Sequence, residues 1–140
     1  HYPLRRQRQM CIRDRFQPIT IPYESVMLLN ECKLKPNVAF ADVELAIAEV
    51  CSKTKDTQEG FIAGQVFSYA GFISPTGSIG EQGEEEPHFL LITYWKDFSE
   101  HESSHQYPPI EEAFSDLLEF TSSTKELGYH LEWQGQRNEG

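Results

Sequence analysis

The sequence predicts an α+β fold with the order strand, helix, strand, strand, helix, strand (βαββαβ), which is the split βαβ arrangement of ferredoxin-like proteins. Three observations carry it: alternating apolar residues over 24–34, apolar residues at spacings of three and four after Pro36, and the almost wholly apolar run HFLLITYW at 88–95. Right-handed crossovers then place two helices on one face of a four-stranded antiparallel sheet and leave the other face bare. A second copy is the economical cover, so the expected assembly is a homodimer with its sheets face to face.

In the first strand Val26, Leu28, Cys32 and Leu34 share one side, and Met27, Leu29, Glu31 and Lys33 the other. Asn30 interrupts the apolar side. Its amide requires partners, either a ligand or neighbouring protein groups. Pro36 ends the strand, Asn37 is the expected N-cap, and Phe40, Val43, Ile47 and Val50 give an amphipathic helix of about four turns. After Gly60, the residues Phe61 to Ile73 read as a second strand. Residues 74–87, with Gly77, Gly80, Gly83, Pro75 and Pro87, read as a solvated acidic loop. Its Glu81, Glu84, Glu85 and Glu86 are a cation site only if carbonyl ligands are fixed beside them. The third strand, His88 to Trp95, is apolar on both sides and is expected to be covered on both.

Asp97 or Ser99 caps a short helix over 100–106, which Pro108 and Pro109 interrupt. A second helical run has Ile110, Phe114, Leu117 and Leu118 on one side, and Glu111, Glu112, Asp116 and Glu119 on the other. Gly128 is read as its C-terminal stop, and Tyr129, Leu131 and Trp133 as the alternation of the last strand.

The 140 residues and 39% hydrophobic content fit one globular domain. Its expected span is 24–136, with 1–23 as a non-native or disordered N-terminal segment and 137–140 as a tail. Of the net charge of −10, residues 1–15 contribute +4 and residues 16–140 therefore −14. So acidic a body repels phosphate, which argues against nucleic acid and anionic membrane as partners. The string RRQRQMCIRDR resembles translated sequencing-adapter read-through from environmental, metagenomic DNA. Without a signal-like or membrane-spanning stretch, a soluble cytoplasmic protein is expected. Cys11, Cys32 and Cys51 form no metal or disulfide spacing, and the last two read as small core residues.

The conspicuous motif is His101-Glu102-Ser103-Ser104-His105, literally H-E-x-x-H. On a helix that pattern aims two imidazoles at one zinc ion and makes a zinc hydrolase a remote alternative. Polar serines, the nearby Pro108 and the lack of a marked third ligand favour a solvated helix instead, although Glu119 and Glu126 are available carboxylates. The expectation is therefore no metal. Trp95, with Tyr94 beside it, is either a core or interface aromatic or the wall of a small-molecule pocket.

Gly60-Phe61 opening the second strand, ITYW closing the third, Trp95 followed six residues later by His101, and the helix through Phe114 resemble the antibiotic biosynthesis monooxygenase (ABM) domain of dimeric α/β barrels. The resemblance covers roughly residues 24–134. It implies a ferredoxin-like protomer, a dimer through the sheets and a cavity between each sheet and its helices. The family includes cofactor-independent monooxygenases of aromatic polyketides, haem-degrading enzymes and quinol oxidases. Asn30 falls where the haem-degrading and some oxygenating members keep a strand asparagine, and His101 matches a histidine common in members without an established activity. The haem branch's helix tryptophan and iron-ligand histidine fall at Ser104 and Phe114, so no haem and no other cofactor is expected. The resemblance thus implies an oxidoreductase acting on an aromatic or quinone-like molecule: Asn30 donates to an oxyanion, His101 or His105 accepts a proton, and Tyr94, Trp95 and Phe114 line the pocket. The competing expectation is a non-catalytic ligand-binding or stress-related dimer in which these residues only pack and solvate.

Overall fold

Four strands and three helices follow the predicted order in the computed structural model, which describes residues 16–71 and 87–138. The elements are β1 (Val26–Leu34), α1 (Phe40–Thr57), β2 (Phe61–Ser68), β3 (His88–Trp95), α2 (Phe98–Ser104), α3 (Pro108–Leu118) and β4 (Thr121–His130). The sheet order is β2-β3-β1-β4, with every neighbouring pair antiparallel. This is the expected α+β ferredoxin-like fold. The readings of residues 1–15 and of the acidic loop with its four glutamates lie wholly or largely outside the described residues, and the second strand, expected to run to Ile73, already ends at Ser68. The chain from Ile21 onward is tied in: Ile21 is buried, and Gln134 Nε2 donates to its carbonyl at 3.1 Å.

β1 is central because alternation lets it serve both faces. Val26, Leu28, Asn30, Cys32 and Leu34 are buried beneath the helices. Cys32, Leu34, Phe89 and Leu91 of the sheet meet Val43, Ile47 and Val50 of α1 and Ala113 and Leu117 of α3 in one apolar cluster. Val26, Leu28 and Trp95 form a second, smaller cluster with Phe61 and Phe98. Asn30 falls between the two.

Several local expectations are corrected. Ala39, not Asn37, is the N-cap of α1; its N–H donates to Asp42 Oδ2 at 2.8 Å, while Asn37 turns the chain with φ 67°. Asparagine tolerates that left-handed conformation better than most residues. Asp97 caps α2 by accepting from the Glu100 N–H at 2.8 Å. Pro108 opens α3, where its missing N–H costs nothing. Gly128 does not stop a helix: it lies inside β4, and a Cβ there would meet a Phe98 ring carbon at 2.9 Å. β4 begins at Thr121, so its polar first half had been assigned to the helical region. After His130 the chain is irregular, and Trp133 is 83% exposed.

The other sheet face carries Met27 and Leu29 of β1, Leu90, Ile92 and Tyr94 of β3, and Leu127 and Tyr129 of β4, all partly exposed in the single chain. Among the described residues, β3 is thus packed by helices on one side only. No helix among the described residues is long and apolar enough to cross a membrane.

Gly60 marks where α2 comes closest to the turn before β2: a Cβ there would lie 2.4 Å from Glu100 Cβ. That atom is anchored to the helix backbone and cannot swing aside. Gly60→Ala should therefore cost about 1–3 kcal/mol in urea unfolding, the usual range for overpacking. Leu45→Ala, at an 82% exposed position, should change stability by less than about 0.5 kcal/mol.

Candidate functional site

The gap between the two apolar clusters is filled by polar groups from three elements. Register pairs Asn30 of β1 with Glu126 of β4, and alternation points both side chains towards the helices. Asn30 Nδ2 donates to Glu126 Oε2 at 3.0 Å. Opposite them, α2 brings His101, whose Nε2 lies 3.4 Å from the same carboxylate oxygen. His105 is one turn further along, at the C-cap of α2, and its Nε2 is 3.0 Å from His101 Nε2. The (i, i+4) spacing puts both rings on one side of the helix, as the motif requires.

His101 is only 5% exposed. The Trp95 ring packs edge-on against its imidazole, with centroids 5.3 Å apart, and Phe61 packs edge-on against Trp95 at 5.5 Å. Trp95 is itself buried, and its Nε1–H donates to Thr93 Oγ1 at 2.7 Å. Ser104 is buried too, its hydroxyl donating to the His101 carbonyl at 2.6 Å. The view of α2 as a solvated helix is thereby corrected. The serine that seemed too polar for a packed helix is satisfied by the helix itself, and the third group missing from the motif is Glu126. His105 and the Glu126 side chain, the latter 31% exposed, form the solvent side of the cluster.

Burial alone would push the Glu126 carboxyl up. The hydrogen bond and charge of His101, the Asn30 amide and the charge of His105 outweigh it, and the carboxyl sits below its ordinary value. The group is held as a carboxylate. His101 Nδ1 is buried without a hydrogen-bond partner; Glu102 Oε1 lies 3.5 Å from it, on a side chain 74% exposed.

Of the residues nominated from sequence, Asn30, Trp95, His101 and His105 are brought together. Tyr94 and Phe114 are not. Tyr94 follows the strand alternation onto the opposite sheet face, where its hydroxyl donates to Gln65 Oε1 at 3.1 Å. Phe114 packs on the α1/α3 cluster. Glu126 had been noticed only as one available carboxylate among several, and its signal, the register opposite Asn30, needed the correct start of β4. A concavity of about 370 Å³ lined by Tyr23, Glu24, Ser25, His130, Leu131 and Glu132 lies apart from the cluster.

No family model and no curated protein matches this sequence. Solved structures do. SnoaB, a cofactor-independent oxygenase from Streptomyces nogalater, superposes with a TM-score of 0.57 at 13% identity, over 79% of this chain and 96% of that one. The hydroxynitrile lyase of Passiflora edulis gives 0.60 at 11% identity, over 82% and 100%. A dimeric ferredoxin-like protein of unknown function from Thermobifida fusca gives 0.60 at 9%, over 83% and 99%.

The thiol of Cys32, next on the same strand side as Asn30, is fully buried. Burial first, then the charges of Glu31 and Glu126, push it from 9.0 up to about 12. The unfolded chain loses this proton near the ordinary value while the folded chain keeps it, so the thiol's contribution to stability is complete below pH 9 and declines as pH rises towards 12. Iodoacetamide at mildly alkaline pH should accordingly leave Cys32 unmodified in the native protein and label it in urea. Native labelling, read by peptide mass spectrometry, would contradict its burial. This chain has the ferredoxin-like fold, as does the Thermobifida fusca protein.

Proposed function

We propose that the protein is a dimeric, ABM-like enzyme that takes a proton from an acidic aromatic molecule, a phenol or quinol, and passes the resulting anion to O2. The observation that carries this reading is the buried His101 imidazole held among Trp95, His105 and the Glu126 carboxylate. The SnoaB likeness supports the reaction class, and the lyase likeness shows that the fold accommodates different chemistries.

In this reading His105, on the open side, accepts the phenolic proton and shares it with His101. Glu126 stabilises the cation that forms, as a carboxylate beside a catalytic imidazole does elsewhere. An amide has two N–H donors, and Asn30 commits one to Glu126. Its other N–H is available for the substrate oxyanion. The electron-rich anion then reduces O2 directly: where it carries a CH2 carbon, as an anthrone does, one oxygen atom becomes the new carbonyl on that carbon and the other leaves as water, with four electrons drawn from it, whereas a quinol gives up two electrons to become the quinone and O2 leaves as H2O2. Trp95 supplies apolar shielding behind His101.

Dimerisation follows from the second sheet face. Its apolar side chains form a continuous patch across β3, β1 and β4, and an exposed patch of this kind marks an association surface. Light scattering at micromolar concentration should give twice the chain mass, whereas a monodisperse monomer would refute the sheet-to-sheet arrangement. For activity, a panel of hydroxyanthrones and quinols is compared with and without air, in chelator. Aerobic formation of quinone with one O2 consumed per carbonyl formed from an anthrone is expected, with His105→Ala reducing kcat by about 10²-fold or more. Equal rates in the variant would remove the histidine from the mechanism, and absence of oxygen-dependent turnover across the panel would sink the oxygenase assignment.

A further inference from the structure

The side chains that handle the proton also have the composition and spacing of a metal site. Two imidazole nitrogens and one carboxylate oxygen, from His101, His105 and Glu126, all lie within 4.8 Å of one another. A tetrahedral zinc-class ion bonded at about 2.0–2.1 Å separates its ligand atoms by about 3.3 Å. The measured separations are 3.0 Å between the two Nε2 atoms and 3.4 Å from His101 Nε2 to Glu126 Oε2. Only the remaining edge, from His105 to Glu126, has to close, and the His105 side chain is exposed and can turn to close it.

A second observation points to the same occupant. His101 Nδ1 is buried and lacks a hydrogen-bond partner. When an ion takes Nε2, the ring proton must reside on Nδ1, and metal-bound histidines almost always give that proton to a carboxylate or carbonyl. Glu102 Oε1, at 3.5 Å, is the carboxylate in place to receive it after a small rotation of an exposed side chain.

We propose that His101, His105 and Glu126 bind one divalent transition-metal ion of the zinc class, with Glu102 orienting His101 and a fourth position open on the solvent side. This reverses the expectation of no metal, which rested on the polar serines, the nearby Pro108 and the lack of a marked third ligand: Ser104 and His101 are buried, and Glu126 supplies the third group. It does not restore the H-E-x-x-H hydrolase. In that mechanism the glutamate stands beside the metal-bound water, whereas here Glu102 lies on the Nδ1 side of His101, away from the converging nitrogens. The proposal uses the same side chains as the oxygenase reading but does not rest on it.

The test is a titration of the full chain, produced without a histidine tag and stripped with chelator, using ZnCl2 by calorimetry and CoCl2 by visible absorption. One ion per chain, and the intense bands of tetrahedral cobalt, are expected. His105→Ala and Glu126→Gln should each weaken zinc by more than about 100-fold with an unchanged circular dichroism spectrum, because both groups sit on the solvent side. Glu102→Gln should keep the stoichiometry and weaken affinity about 10- to 100-fold, the effect of losing an orienting partner. Absence of saturable one-to-one binding, or binding equally tight in the His105→Ala and Glu126→Gln proteins, overturns the site. Oxygen-dependent turnover is measured in chelator, so each proposal can fail without the other.

Discussion

Asn30 divides the helix-facing side of the sheet, and the polar site is built at that division. Leu28 on one side of it belongs to the Trp95 cluster and Cys32 on the other to the α1/α3 cluster. A buried amide without partners would cost about 1–3 kcal/mol, so the position must be answered by another polar group. Glu126 does so across the strand pair, and its carboxylate in turn needs donors, which His101 and Asn30 provide. Each polar residue is tolerated because the next one satisfies it. Such a chain holds only while the register between β1 and β4 holds, since a slip of one residue would turn Glu126 to the other face.

The two faces of the sheet are thereby assigned different work. The helix-facing side contains both apolar clusters and the polar gap, and it is covered within the chain. The opposite side is apolar along its centre, while Glu31 and Lys125 pair in register towards one end. A strand such as β3 can be apolar on both sides only when both sides are finally covered. The helices cover one, and a second copy is the simplest cover for the other. β4, at the edge, draws on such an assembly through Leu127 and Tyr129, which are exposed on that face in the single chain.

How much of this was legible in the sequence follows from how strongly each segment is patterned. β1 and β3 were readable because one alternates and the other is almost uniformly apolar. β4 was not: Thr121 to Lys125 has no hydrophobic period, since an edge strand with exposed side chains is under little pressure to have one. Misplacing that strand also hid Glu126, whose role depends on lying opposite Asn30 rather than on any local motif. The reverse happened at α2, where a local motif was visible but its surroundings were not. Ser104 looked like a mark of solvent, yet it is buried and bonded to the helix backbone, and the Trp95 ring that buries His101 comes from the strand before it. Tyr94 and Trp95 show the same limit on a smaller scale. They are adjacent in the chain and on opposite faces of the sheet.

A proton and a divalent cation make related demands on such a cluster, which is why one geometry supports both. Two nitrogen atoms 3.0 Å apart cannot face each other with two lone pairs or with two hydrogens without repulsion. Either one N–H pointing from one ring to the other or a cation must lie between them, and the nearby carboxylate favours a cation. A single proton satisfies the pair of imidazoles, and an ion satisfies both imidazoles and the carboxylate together. The difference is carried by His101 Nδ1. With a proton between the rings that atom need not be a donor, whereas an ion on Nε2 makes it one and engages Glu102. The occupant of the cluster would therefore be reported by a residue outside it: the two histidines of the H-E-x-x-H string converge on one point, and the glutamate between them, 3.5 Å from the buried ring's Nδ1, would receive its proton only with an ion in place.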